Sequence, residues 1–189
     1  MIPRFRVASV FDISQTDGEP LPELETPELM GSVENFKVFM KAVQEVSPVP
    51  VRFDEISSGA KGYYSNTEKE IVIQNGMSES QTMKTGIHEV THAMLHDRDF
   101  MEEQGEKKNQ MTKEVEAESV AYTVCQYFGL DTSDYSFPYI AGWSSSMDMK
   151  ELRTSMDTIR KTAGSFIDSM TEVIQRLMRE QPELSLSAM

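Results

Sequence analysis

The chain has 189 residues, of which 39% are hydrophobic and 26% charged, which reads as one soluble, globular domain with a core of its own. Its 31 acidic against 18 basic residues leave a net charge of -13 and a pI near 4.7; such a chain repels a phosphate backbone, so direct nucleic-acid binding by this chain alone is not expected. No run of about 18 apolar residues is present to span a bilayer, the N-terminus lacks a signal-peptide apolar segment, and the single cysteine, Cys125, has no internal disulfide partner, so a reducing, cytoplasmic setting with no membrane is expected.

The chain divides into an extended lead-in (1–31), a domain (32–146), a long amphipathic C-terminal helix (147–180) and a flexible tail (181–189). Pro20, Pro22 and Pro27 exclude a regular helix from the lead-in. Residues 32–46 read as a helix with Ser32 as N-cap and an apolar side from Val33 to Val46. Pro48 and Pro50 end it, and Val49 to Phe53 form a short strand.

Gly62-Tyr63-Tyr64-Ser65, the polar turn Asn66 to Lys69, and Glu70-Ile71-Val72-Ile73-Gln74 spell a hairpin. Ser78 and Gln81 form a capping-box pattern that opens a helix running to about Leu95 or His96. Gly86, within that helix, suggests close packing.

Residues 97–110 are polar and read as a loop. Lys107, Lys108 and Lys113 do not amount to a basic patch and read as solvated. A second helix follows from about Thr112 to Phe128, with Gly129 at the C′ position. Residues 130–146 are irregular and aromatic. Met149, Leu152, Met156, Ile159, Ala163, Phe166, Met170, Val173 and Leu177 then alternate three and four apart, a heptad seam that suits packing on the chain's own core or self-association through this helix.

His88-Glu89-Val90-Thr91-His92 carries the strongest chemical signal. Two histidines four apart share a helix face and can converge on one zinc ion, while the glutamate beside them can act as general base toward water. A zinc site of this kind needs a third protein ligand and an open position. His96 is excluded, because eight residues of helix put it about 12 Å from His88 along the axis, and it reads as an exposed or helix-terminal residue.

Cys125 lies in an apolar stretch and reads as core. Carboxylates of the second helix remain. Glu114 and Glu118 continue the apolar stripe of Ala117, Ala121, Val124, Cys125 and Phe128, whereas Glu116 points away with Thr123. Glu114 is expected to bind zinc and Glu118, one turn on, to hold a ligand histidine by its second ring nitrogen; the reversed order also fits the spacing.

HEVTH followed some twenty residues later by EVEAESVAY resembles the ImmA/IrrE-type metallo-endopeptidases, which share a short zincin core with the metallopeptidase domain of ArdC-like antirestriction proteins from mobile elements. The resemblance covers roughly residues 33–130. It implies a gluzincin in which His88, His92 and Glu114 bind Zn2+ and Glu89 is the general base.

The implied fold is an α+β minimal zincin: a small antiparallel or mixed sheet, an active-site helix and a long C-terminal helix. The implied function is hydrolysis of peptide bonds in a protein or peptide substrate, such as a regulator in a mobile element, with Ile71 to Gln74 as the edge strand along which substrate lies. The alternative is a non-hydrolytic zinc-binding regulatory or antirestriction module of a larger polyvalent protein.

Overall fold

Ile71, Val72 and Ile73 are three consecutive β-branched residues, all buried. Such a run belongs in the middle of a sheet. The computed structural model describes residues 35–105, 107–133 and 149–180 together with Leu29, Val33 and Ser136. Within them lie five helices and three strands: α1 (Phe36–Val46), β1 (Val51–Asp54), β2 (Gly62–Ser65), β3 (Glu70–Gln74), α2 (Glu79–Leu95), α3 (Arg98–Gln104), α4 (Gln110–Tyr127) and α5 (Met149–Glu180).

The sheet order is β1-β3-β2. β1 runs parallel to β3, with Val51 opposite Ile71. β2 runs antiparallel, with Tyr64 opposite Ile71 and Gly62 opposite Ile73. This is a mixed sheet in an α+β chain. It corrects the assignment of Ile71–Gln74 as an edge: β3 is paired on both sides, and β1 and β2 are the edges among the described residues. A fully apolar strand is stable where neighbours satisfy its backbone on both sides, so its burial and its central place have one cause.

Ser78 caps α2, accepting from Gln81 N at 3.2 Å. The capping box is only half formed. The Gln81 side chain instead donates to Thr85 Oγ1 at 3.1 Å and accepts from Lys61 Nζ at 3.3 Å. The chain ahead of α1 also meets this helix start: Ser78 Oγ donates to Leu29 O, and Val33 N donates to Glu79 Oε2 at 2.8 Å. A β-carbon on Gly86 would lie 3.4–3.5 Å from side-chain atoms of Ile73, Val43 and Met40, so the glycine sits where α2 meets both α1 and the sheet.

Two helix starts differ from the sequence expectation. α1 begins at Phe36 behind Asn35, whose φ of 57° is left-handed; Ser32 lies outside the described residues. The polar segment after α2 is not all loop. Asp97 accepts from Asp99 N and Phe100 N, and Gly105 at φ 66° closes the turn, making α3 a capped seven-residue helix. An aspartate followed eight residues later by glycine is a start and a stop signal, masked in the sequence by the surrounding charge. α4 opens two residues early because Asn109 accepts from Thr112 N.

α4 packs against both α2 and α5, and α5 also packs on α1. Ala163, Phe166, Met170, Ile174 and Leu177 of α5 are buried, so the C-terminal half of the seam closes this chain's own core. In its N-terminal half Met149 and Met156 are 63% and 58% exposed, while Ser155 between them is buried. Cys125 is in the core, and burial pushes its thiol up to about 12. Among the described residues no helix is long and apolar enough to cross a membrane. The lead-in up to residue 28, the aromatic stretch 137–148 and the tail lie outside the described residues.

Candidate metal centre

α2 presents Lys84, His88, His92 and His96 at intervals of four, one face of a helix. α4 lies against that face and supplies Glu114, Glu116 and Glu118. His88 Nε2 and His92 Nε2 are 3.1 Å apart. Glu114 Oε2 is 3.4 Å from the first and 3.5 Å from the second.

A tetrahedral ion bonded at about 2.0–2.1 Å keeps its ligand atoms about 3.3–3.4 Å apart. The three atoms lie at spacings close to those of one face of such a tetrahedron, and two imidazoles with a carboxylate are a donor set that fits zinc. The same three residues are the group able to hold a metal ion among the described residues.

Each histidine has a partner on its other ring nitrogen. His88 Nδ1 lies 3.2 Å from Glu118 Oε2, close enough for an ion pair but short of a well-aligned hydrogen bond. Glu118 is in turn held by Lys84 Nζ at 2.6 Å and by Ser136 Oγ at 2.6 Å. His92 Nδ1 is 3.0 Å from His96 Nδ1, and His96 Nε2 is 3.0 Å from Glu116 Oε2.

The electrostatics follow from these contacts. Burial pulls the His88 imidazole down, but Glu114 and Glu118 outweigh it and raise it to about 9. The two imidazoles hold Glu114 well below the usual carboxylate range. Burial opposes ionisation of Glu118, yet His88 and Lys84 bring it down to about 2. Burial lowers His96. Glu116 is held low against burial by His96, Ser155 and Lys108.

Between the two open orders for the acidic pair, the geometry places Glu114 with the histidine Nε2 atoms and Glu118 behind His88. Two sequence expectations are corrected. Glu116 does not point away; it is 0% exposed. The reason is that residues Val115 to Ala121 are all buried: a helix wedged between α2 and α5 has no outward side there, so a single apolar stripe misreports it. His96 is helix-terminal as expected but 3% exposed, because its two ring nitrogens reach His92 and Glu116.

Lys108, read as a solvated charge, donates to Glu116 Oε2 at 3.0 Å. Lys84, Ser136 and Ser155 also reach these carboxylates without having been expected there; only Lys84 carries a signal in the sequence, its place one turn before His88.

A cavity of about 330 Å3 opens onto this face, lined by Gly62, Tyr63, His88, Glu89, His92 and Glu114 among others. A second, of about 300 Å3, lies beside it and adds Lys61, Lys84, Thr85 and Glu118. Glu89 lines both and is not among the ligand atoms. His88, Glu89, His92 and Glu114 converge on the first cavity, which leaves space beside the three candidate ligand atoms.

Gly62 lets β2 approach the helix. A β-carbon there would lie 2.7 Å from Thr85 Cγ2, 3.1 Å from Val72 O and 3.3 Å from Glu89 Cγ. Gly62→Ala is therefore expected to lower stability by about 1–3 kcal/mol, as overpacking does. Urea denaturation measures this; an unchanged midpoint would mean that strand and helix part without cost.

The fold and site together define an α+β protein with a candidate two-histidine, one-glutamate metal centre. The chain is 30% identical over 193 aligned residues to the uncharacterized protein pXO2-81 of Bacillus anthracis, an alignment that takes in 92% of this chain and 32% of that protein. The chain thus spans about a third of the length of the curated relative it matches. No family model matches the chain, and no solved structure matches it.

Proposed function

We propose that this chain is a zinc-dependent metallo-endopeptidase with a zincin-like core, acting on a protein or peptide substrate in the cytoplasm. The observation that carries the reading is the triangle of His88 Nε2, His92 Nε2 and Glu114 Oε2 with edges of 3.1, 3.4 and 3.5 Å, opening on a cavity that Glu89 also lines. The resemblance to ImmA/IrrE-type enzymes points the same way and suggests a regulatory protein of a mobile element as the substrate class.

In this reading His88, His92 and Glu114 hold the ion. The chemistry an ion held there would supply is Lewis acidity toward the scissile carbonyl and the attacking water. Glu89 takes the proton from that water and passes it to the leaving amine. β2 leaves one backbone edge unpaired among the described residues, and Gly62 to Tyr64 border the cavity, so an extended peptide can lie along that strand by main-chain pairing.

Metal analysis combined with cleavage of a mixed peptide library tests the proposal. One zinc per chain, with cleavage lost on chelation and restored by zinc, is the expected result. Zinc without cleavage of any peptide would favour the non-hydrolytic regulatory module. Absence of zinc after reloading would sink the metal centre itself.

A further inference from the structure

Glu116 is fully buried in a way that the ligand triangle does not account for. Its Oε1 accepts from Ser155 Oγ at 2.7 Å. Its Oε2 accepts from Lys108 Nζ at 3.0 Å and lies 3.0 Å from His96 Nε2. Three elements thereby meet at one carboxylate: α2 through His96, the segment before α4 through Lys108, and α5 through Ser155. A buried carboxylate costs free energy unless each oxygen is satisfied, and here each is.

The donor and acceptor roles along this line can be followed from either end. A carboxylate has no hydrogen to give, so His96 Nε2 must donate to Glu116. A neutral imidazole that donates from Nε2 has a bare Nδ1, and His96 Nδ1 faces His92 Nδ1 at 3.0 Å. His92 Nδ1 must then donate, which leaves a lone pair on His92 Nε2. That atom stands in the ligand triangle. From the other end, a metal-binding His92 offers the lone pair of Nε2 and must donate from Nδ1, which requires an acceptor at His96 Nδ1. Both ends of the line thus require the same tautomers of His92 and His96.

We propose that His96 and Glu116 are positioning residues for the zinc site, an outer hydrogen-bond relay that holds His92 in the tautomer and orientation that presents Nε2 to the metal, with Ser155 and Lys108 fixing the far end. The inference rests on the zinc reading above. His88 has a direct carboxylate partner in Glu118, whereas His92 reaches its carboxylate through a second imidazole. The long helix α5 therefore contributes to the metal site through Ser155 as well as to the core.

Two measurements test the relay. With only three histidines in the chain, ring 15N spectra of the zinc-loaded wild type can be assigned, and His96 is expected to carry its proton on Nε2 with Nδ1 bare; a protonated Nδ1 on His96 overturns the relay without any variant. In chelator competition, His96→Phe and Glu116→Leu are expected to weaken zinc binding by about 10–100-fold, while Glu116→Gln, which keeps an acceptor toward His96 and can donate to Ser155 Oγ, stays within about threefold.

A purely structural role would lower the melting temperature of the metal-free protein and leave the affinity of the folded fraction unchanged. Wild-type zinc binding with equal affinity in His96→Phe overturns the relay alone. A wild type that takes up no zinc overturns the metalloenzyme reading and the relay with it.

Discussion

Glu89→Gln is expected to keep one zinc per chain and to lose peptide hydrolysis by about 10²–10⁴-fold, the range in which a positioned general base contributes. The carboxamide has nearly the shape of the carboxylate but cannot take a proton from water. Glu89 is not one of the three residues whose ligand atoms converge, so metal content is not expected to follow activity. Both cavities border this side chain, as the proposed role toward water and a peptide carbonyl requires. Metal analysis and peptide cleavage on the same preparation check the prediction. Turnover surviving in the variant would remove Glu89 from the chemistry, whatever the zinc content.

The second large effect concerns stability. Lys84 and Glu118 form a pair at 2.6 Å with side chains only 4% and 3% exposed. Lys84→Met leaves Glu118 buried with only His88 and Ser136 as its partners, without the lysine that approaches it most closely. Breaking such a pair on one side costs about 3–5 kcal/mol. For a domain of this size that corresponds to a fall in melting temperature of the order of 10 °C.

The double variant Lys84→Met/Glu118→Leu is expected to recover most of this loss, since an apolar pair of similar volume often replaces a buried ion pair at no net cost. It should still bind zinc more weakly than the wild type, because His88 Nδ1 then has no carboxylate opposite it. Thermal denaturation of the metal-free proteins measures the first effect and chelator competition the second. A neutral Lys84→Met would show that water reaches this pair in solution.

What the sequence determined by itself is local in range. The hairpin strands fall at Gly62–Ser65 and Glu70–Gln74 as the turn chemistry and β-branched run require. α2 starts behind Ser78 and ends at Leu95 because its cap and its histidine spacing are written within a few residues of one another. The shared face of His88 and His92 needed nothing beyond the i, i+4 rule.

Tertiary structure decided the rest. Whether Glu114 or Glu118 faces the two Nε2 atoms depends on how α4 lies across α2, and no spacing within α4 contains that. The burial of Glu116 has the same cause: a stripe of apolar residues tells which side of a helix is buried only when the helix has one buried side, and α4 has two. His96, at the end of α2, is buried because His92 and Glu116 meet its ring nitrogens. The central place of β3 is not written in its own residues, because a strand's sequence records its burial and leaves its neighbours unstated. Lys84, Ser136 and Ser155 joined the site from separate places in the chain because hydrogen-bond satisfaction of buried carboxylates is settled by whatever packs against them.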